Sequence, residues 1–306
     1  MAAGLFGKIP AQGDFVTHNV GDPIAQHLDR WLQEAQAHLA KVRAALPVQP
    51  VRFLFAEPSC PNAVVGAMVG SQDQVGRKFA LSIFGYVPLA QATLTYPTAH
   101  ITFDPFLDAA SQLLHEAERL PLDAIRTKVD ALVLPGQGQF DQAVTLRDAT
   151  LRNAPVHEFH ERLFVDVSDG RHCYAYNTLL TAIRGAGPQP VDKGATVLDC
   201  PIAVDLDVFA WLEMLRRLLR WNTAPSFFWL EEPLPRLLVS LGTPTPKIPV
   251  FLANPRSESN HLWPLTTHRE AAVRSAAQSL GSMMQSYGPG SQASLGELIN
   301  TLEQHL

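Results

Sequence analysis

Apolar residues recur at helical spacing in several stretches of the chain. Asp22 can cap a helix and Pro23 fits the first helical position, so the apolar residues from Ile24 to Val42 predict one amphipathic helix. Asp104 and Pro105 repeat this start signal. Further helices are predicted where the pattern or a capping box returns: Phe106–Ala117, Pro121–Leu132, Val208–Leu219, and two C-terminal helices that open at Thr267 with Glu270 and at Ser294 with Glu297.

Short β-branched and aromatic runs, bounded by Pro, Gly and polar residues, predict strands. Ala63–Val69 and Phe79–Val87 flank residues 70–78, so we expect an antiparallel pair that presents this segment as a loop. Leu163–Val167 and His172–Tyr176 are predicted as a hairpin, because the segment between them has a turn composition. The remaining predicted strands are Val51–Phe55 and Ser226–Leu230. Helices mixed with hairpin-like strands favour an α+β, α/β sandwich-like fold, with a central mostly antiparallel sheet flanked by helices.

The distribution of Gly, Pro and Gln predicts how the chain is divided. Residues 135–161 and 185–203 are rich in these residues and read as insertions or as a hinge between two halves. We therefore predict one domain over residues 1–255, with an extended middle segment at about 135–205. Residues 256–306 are predicted to form a C-terminal helical extension.

Charge and cysteine content exclude several classes of protein. The formal net charge is -5 and the sequence pI is about 6.1, which disfavours a nucleic-acid partner. The three cysteines have wide, irregular spacing, which is typical of a reducing compartment. The N-terminus lacks the pattern of a secretion signal, and the longest stretch without Asp, Glu, Lys or Arg contains prolines and many polar side chains. We therefore expect a cytoplasmic protein without membrane insertion.

Candidate catalytic motifs are incomplete. Gly4 to Lys8 lacks the spacing and the hydroxyl residue of a phosphate loop, and Gly136-Gln137-Gly138 is only half of a dinucleotide motif. His157 and His160 are three residues apart instead of the four of a zinc-protease helix, so a solvated polar segment is favoured there. We expect no catalytic residues, no metal and no cofactor, although a triad assembled from distant segments is left open.

Two segments carry unusual combinations of glycine, proline, charge and aromatic residues. The first, Gly4–Val16, includes Lys8, Asp14 and Phe15; the second, Gly70–Leu81, includes Ser71, Asp73 and Arg77. Loop charges beside rigid strands are common recognition residues. Lys8, Asp14, Asp73 and Arg77 either pair with one another and join the two loops, or contact a partner, and both readings stay open. Phe15 and Trp229 are expected in the core.

These segments resemble the TagF (ImpM-like) accessory proteins of bacterial type VI secretion systems. The first segment is similar to the family signature G-x-x-GK-x-P-x-x-GDF, and the second to P-S-x-D-x-V-G-R-x-F-P-L, with Gly70 and Ala80 in place of the two prolines. Trp31 is similar to a helix tryptophan of the family, and Pro225–Trp229 to a later aromatic strand. The resemblance carries nothing over to residues 104–220 or to the tail beyond Pro255.

The resemblance implies a non-catalytic, post-translational regulator of type VI secretion assembly, generally a repressor. Such a protein would act in the cytoplasm by binding a forkhead-associated scaffold protein of the same system. The residues that would carry binding are Lys8, Asp14, Ser71, Asp73 and Arg77. The alternatives are a hydrolase-like accessory enzyme and a structural or chaperone subunit of the secretion machinery.

Overall fold

Nine strands of the described residues pair into one sheet. The computed structural model describes residues 2–164, 169–190, 196–288 and 290–306. The order of strands across the sheet is β2-β1-β5-β4-β3-β7-β8-β6-β9. The strands are β1 (Ala3–Gly7), β2 (Val16–His18), β3 (Val51–Phe55), β4 (Asn62–Gln72), β5 (Lys78–Pro88), β6 (Thr196–Pro201), β7 (Phe227–Leu230), β8 (Arg236–Leu241) and β9 (Leu262–Pro264).

The pairing of these strands is antiparallel except at one edge. The long hairpin of β4 and β5 pairs from Asn62 with Pro88 to Gln72 with Lys78, as the sequence predicts. The short last strand, β9, lies parallel to β6. Strands β3 and β7 join the N-terminal and C-terminal halves into one sheet. The α+β prediction with a mostly antiparallel sheet is therefore confirmed.

Helices cover both faces of the sheet. They are α1 (Pro23–Lys41), α2 (Leu89–Thr95), α3 (Ala99–Thr102), α4 (Asp104–Glu116), α5 (Leu122–Asp130), α6 (Gln137–Asn153), α7 (Val156–Leu163), α8 (Arg171–Ala186), α9 (Asp205–Leu219), α10 (Ile248–Ala253), α11 (Glu270–Met284) and α12 (Leu295–His305). In the described ranges no helix combines the length and the apolar character that crossing a bilayer requires.

The two faces of the sheet build two hydrophobic cores. In β7 the side chains alternate: Phe228 packs with helices α1 and α10, whereas Phe227 and Trp229 face the larger core that includes α4, α8 and α9. Trp31 of α1 stacks on Phe228 with 5.0 Å between the ring centroids. Trp229 is buried, as predicted.

The helix start signals have mixed outcomes. Asp22 accepts a hydrogen bond from the backbone N–H of Ile24, and Ser294 forms the predicted capping box with Glu297. The predicted box at Thr267 is wrong, because its helix begins only at Glu270. Asp104 does not cap its helix either; its carboxylate lies 3.0 Å from the guanidinium of Arg52.

The predicted hairpin at residues 163–176 is wrong. His172–Tyr176 lies inside α8, and Leu163 ends α7, while residues 165–168 lie outside the described part of the chain. Gly170 adopts a positive φ of 83°, so the turn prediction is correct at that residue, but the turn leads into a helix. The middle segment carries α6, α7 and α8, and the proposed division at residue 255 stays a prediction.

Candidate functional site

The first segment turns sharply where β1 ends. Gly7 has a φ of 142°, and a Cβ atom there would lie 2.1 Å from the carbonyl oxygen of Ala80. Only glycine fits this close approach between the chain and β5. The next residue, Lys8, donates its backbone N–H to Ala80 at 3.4 Å. This hydrogen bond fixes the backbone of Lys8 directly after the end of β1.

Asp73 organises the tip of the β4–β5 hairpin. Its Oδ1 accepts backbone hydrogen bonds from Val75 at 3.1 Å and from Arg77 at 2.8 Å. The backbone of Gly76 donates to the carbonyl of Asp73 at 2.9 Å, with a φ of 84° that favours glycine. The carboxylate therefore fixes the loop conformation before any contact with the other segment is counted.

The two segments are joined through the same carboxylate. Asp73 Oδ2 lies 2.8 Å from Lys8 Nζ and 2.6 Å from Arg77 Nε. Arg77 also donates to the carbonyl of Gly13 at 2.6 Å, and the backbone N–H of Gln74 donates to the carbonyl of Gln12 at 2.9 Å. We call Lys8, Asp73 and Arg77 the loop network. It connects the two segments that the sequence singles out.

The carboxylate at the centre of the loop network stays ionised. Asp73 is buried, and burial alone would raise its pKa, but the hydrogen bonds from Lys8, from Arg77 and from two backbone amides hold the pKa of Asp73 well below its ordinary value. Two cations therefore share one permanent anion, and Arg77 keeps an exposed side chain.

Phe15 lies over the loop network and not in the core. The Lys8 ammonium is 4.9 Å from the centroid of its ring. The ring packs on Phe6 at 5.7 Å and on Phe79 at 4.9 Å, yet 43% of the residue is exposed. The core prediction for Phe15 is therefore wrong. Phe15 immediately precedes β2, and its neighbour Val16 takes the inward position at the start of that strand.

Asp14 and Ser71 lie beside the loop network without joining it. Asp14 is exposed, and its Oδ1 accepts the backbone N–H of Phe15 at 2.9 Å. The predicted four-charge network therefore contains three of the four residues. Ser71 is half-buried and lines a cleft of about 390 Å³, together with Pro10 and Phe79. We call this the polar cleft.

Two cations of the polar cleft are absent from the sequence prediction. Lys78, at the start of β5, and Arg119, which follows α4, line it together with Glu118. No side chain of the described ranges forms an ion pair or a hydrogen bond with Lys78 or Arg119. Arg119 comes from a distant part of the chain, so no local sequence signal could have placed it there.

Gly70 has a structural role at the polar cleft. Its backbone N–H donates to the carbonyl of Pro47 at 2.9 Å, which a proline could not do. A Cβ atom at this position would lie 2.6 Å from the carbonyl oxygen of Leu46. The glycine therefore allows the α1–β3 connection to lie against β4.

The histidine-rich segment folds into the interior. His160 of α7 is fully buried; its Nδ1 donates to the carbonyl of Tyr287 at 3.1 Å, and its Nε2 accepts from the hydroxyl of Tyr176 at 2.7 Å. Its ring lies 5.1 Å from that of His172. Burial, followed by the nearby His172, lowers the pKa of His160 to about 3. We call His160, His172 and Tyr176 the histidine cluster; the expectation of a solvated segment is wrong for His160.

The arrangement of His, Cys, Asp and Glu side chains bears on metal binding and thiol reactivity. No group of three His, Cys, Asp or Glu side chains within them is arranged to hold a metal ion. Cys173 Sγ lies 3.5 Å from His172 Nε2, but both residues are buried, and burial raises the pKa of the Cys173 thiol. An activated thiolate is therefore disfavoured at this pair. Cys60, Cys173 and Cys200 are all buried and free.

Comparison with known proteins places the N-terminal part of the chain. The family described as "TagF N-terminal domain, Type VI secretion system-associated" matches residues 4–132, a span that holds both loops. The crystal structure of PA0076 from Pseudomonas aeruginosa PAO1 is similar at 24% sequence identity and a TM-score of 0.39. That match covers 44% of this chain and 64% of PA0076, so the chain spans less than two thirds of that protein. No curated protein matches the chain significantly.

The match coincides with the residues on which the resemblance to TagF proteins rests in the N-terminal half. It contains Lys8, Asp14, Ser71, Asp73 and Arg77, together with β1 to β5 and α1 to α5. Residues 4–132 therefore match the N-terminal domain of the TagF family, which is described as type VI secretion system-associated, and the match covers less than half of the chain.

Proposed function

We propose that this chain is a non-catalytic, post-translational regulator of type VI secretion assembly that binds a forkhead-associated scaffold protein in the cytoplasm. The family match supports an association with the secretion system. The observation that carries a binding role is the exposed Phe15 ring, which the loop network and two further aromatic rings hold in one position. A large apolar ring fixed at the surface is typical of the centre of a protein interface.

The loop network is the structural support of this interface. Lys8 and Asp73 form a buried ion pair between the two loops, so their charges are not available to a partner. What remains for a partner is the exposed part of Phe15, the carboxylate of Asp14, the outer edge of Arg77 and the hydroxyl of Ser71. In this proposal Lys8 and Asp73 position the surface, and the other residues contact the partner.

The test is purification of the tagged chain from its native cell, comparing the wild type with Asp14→Lys plus Phe15→Ser. Both residues are exposed, so the variant changes the surface and leaves the ion pairs of the loop network in place. The matched control is Asp123→Lys plus Leu94→Ser, which makes the same charge change and replaces another exposed apolar side chain by serine at positions elsewhere. We expect the forkhead-associated protein with the wild type and the control, and its loss from the variant.

Other results separate the competing functions. If the Asp14→Lys plus Phe15→Ser variant and its control recover the forkhead-associated protein equally, Asp14 and Phe15 do not belong to the interface. Stoichiometric recovery of sheath or baseplate components without the forkhead-associated protein would favour a structural or chaperone subunit. For the direction of regulation, deletion of the gene is expected to raise type VI secretion, as for a repressor; unchanged or reduced secretion would contradict repression.

A further inference from the structure

A second cleft lies next to the polar cleft, and both share one wall. This apolar cleft, of about 320 Å³, is lined by Leu230, Pro233, Leu234 and Leu252. Ala45 and Val48, in the connection between α1 and β3, line both clefts. The two clefts therefore lie on either side of a ridge of residues 45–48, and we call the two clefts and this ridge the groove.

The ridge is a fixed part of the surface. Leu46 is buried, and the carbonyl of Pro47 accepts the backbone N–H of Gly70 in β4. Val48, by contrast, is 73% exposed at the top of the ridge, and Leu234 is 51% exposed in the apolar cleft. Two exposed aliphatic side chains along a preformed groove are typical of a surface that a partner covers.

Charge differs between the two ends of the groove. At the polar cleft, Lys78 and Arg119 outnumber Glu118, and the side chains of these two cations lack partners within the described ranges. This excess of positive charge stands on a chain whose formal net charge is -5. At the apolar cleft, the guanidinium of Arg236 is held by Asp199 at 2.6 Å and by the carbonyl of Phe251, so it offers no free charge.

From this asymmetry we infer that the groove binds an extended acidic peptide segment of a protein partner. Acidic residues at one end of the segment lie against Lys78 and Arg119, and aliphatic residues at the other end pass Val48 and fill the apolar cleft beside Leu234. Opposite charges at the polar end set the direction of the segment, and apolar burial at the other end supplies affinity. The inference rests on the proposed function, because it names the kind of segment that the partner presents.

The probe is a library of random displayed peptides of about twelve residues, selected on the full chain. Enriched peptides are expected to carry two or more Asp or Glu residues on one side of two aliphatic residues, always in the same order. Enrichment of peptides without acidic residues, or no enrichment at all, would overturn the inference. The selection needs no forkhead-associated protein, so it can fail while the co-purification succeeds, and the reverse.

Variants then test each end with the best synthetic peptide, by fluorescence anisotropy. Lys78→Glu plus Arg119→Glu is expected to weaken binding at least about tenfold and to reverse its dependence on salt, because screening then weakens a repulsion instead of an attraction. Val48→Asp plus Leu234→Asp is expected to weaken binding by a similar factor, about tenfold, because charge is unfavourable in the apolar cleft. All four side chains lie at the surface or line an open cleft, so folding should persist, which urea denaturation checks.

The matched control is Arg152→Glu plus Arg274→Glu, which makes the same charge change at exposed positions away from the groove. It is expected to bind the peptide as the wild type does. Equal weakening by this control would show that net charge, and not the groove, attracts the peptide, and would contradict the inference. Unchanged binding by the two groove variants would place the peptide elsewhere on the chain.

Discussion

The loop network and the histidine cluster both bury titratable side chains, but they use opposite chemistry. In the loop network Asp73 stays ionised, because two cations and two backbone amides satisfy its carboxylate. In the histidine cluster His160 stays neutral, because burial and then the nearby His172 disfavour the charged ring, while a tyrosine hydroxyl and a backbone carbonyl satisfy both ring nitrogens. The first supports an exposed ring and adjoins an open cleft; the second consists of buried side chains. A buried polar cluster therefore indicates a binding site only where it holds exposed side chains in position.

The largest expected effect concerns acid and the neutral histidines. Burial lowers the pKa of His160 and of His100 to about 3, so in the folded state both remain neutral where the unfolded chain takes up protons. The free energy of unfolding should therefore fall as the pH drops below about 6.5, by about 2 kcal/mol for each histidine at pH 5. Urea denaturation at pH 7 and pH 5 measures this loss.

A substitution assigns part of this pH dependence. His160→Gln should lose about 2 kcal/mol less than the wild type between pH 7 and pH 5, whereas His268→Gln, at an exposed position, should lose as much as the wild type. If His160→Gln keeps the full pH dependence, His160 is not held neutral by its surroundings. The histidine cluster would then not differ from the loop network in keeping its buried group neutral.

The next effect removes one hydroxyl from the histidine cluster. Tyr176→Phe leaves the Nε2 of His160 buried without a donor, which should reduce the free energy of unfolding by about 1–3 kcal/mol. Binding of the forkhead-associated protein should be unchanged, because the residues of the cluster are buried. Loss of partner binding by a variant that remains folded at the assay temperature would show that the histidine cluster and the binding surface are coupled.

Local patterns account for much of the N-terminal half. Helix α1 has a cap, a proline at its first turn and a long apolar stripe, and β4 and β5 are long runs beside a glycine-containing loop. Each signal lies within one continuous segment, so the sequence alone predicts it. The charges within the two motif loops likewise predict an ion-pair network as one of two alternatives.

The errors arise where distant segments decide the structure. Gly170 turns the chain as predicted, but the helical spacing of the buried residues from His172 to Ile183 outweighs the strand-like appearance of the first five. Phe15 looks like a core residue until the neighbouring Val16 takes the inward position. Arg119 reaches the polar cleft from beyond α4, and the pattern around residues 70–81 contains no information about it.

A smaller effect tests whether Lys8 joins the two loops. Lys8→Met removes one of the two cations on Asp73, while Arg77 and the backbone amides remain, so the chain should stay folded. The contact between the loops should loosen, and the Gln74 amide, which donates to Gln12, should exchange about tenfold faster with solvent. Hydrogen exchange followed by NMR measures this rate.

Lys78→Met is the matched control for this change, because it removes an exposed lysine of the same hairpin whose side chain has no partner in the described ranges. Its Gln74 amide should exchange at the wild-type rate. Equal acceleration in both variants would mean that the loops are held by other contacts. The loop network would then be a local feature of the hairpin, and the proposal that it supports Phe15 would be contradicted.

The smallest expected effect on stability is that of Phe15→Ala. The ring loses its contacts with Phe6 and Phe79 and its place over Lys8, but nearly half of it already faces solvent, so the free energy of unfolding should change by no more than about 1 kcal/mol. Urea denaturation measures that change, and co-purification of the forkhead-associated protein measures binding. A small loss of stability with a large loss of binding would separate Phe15 from the histidine cluster, where stability alone responds. A loss of about 3 kcal/mol or more would instead make the ring a core residue, and the exposed surface would lose the observation that carries the proposed function.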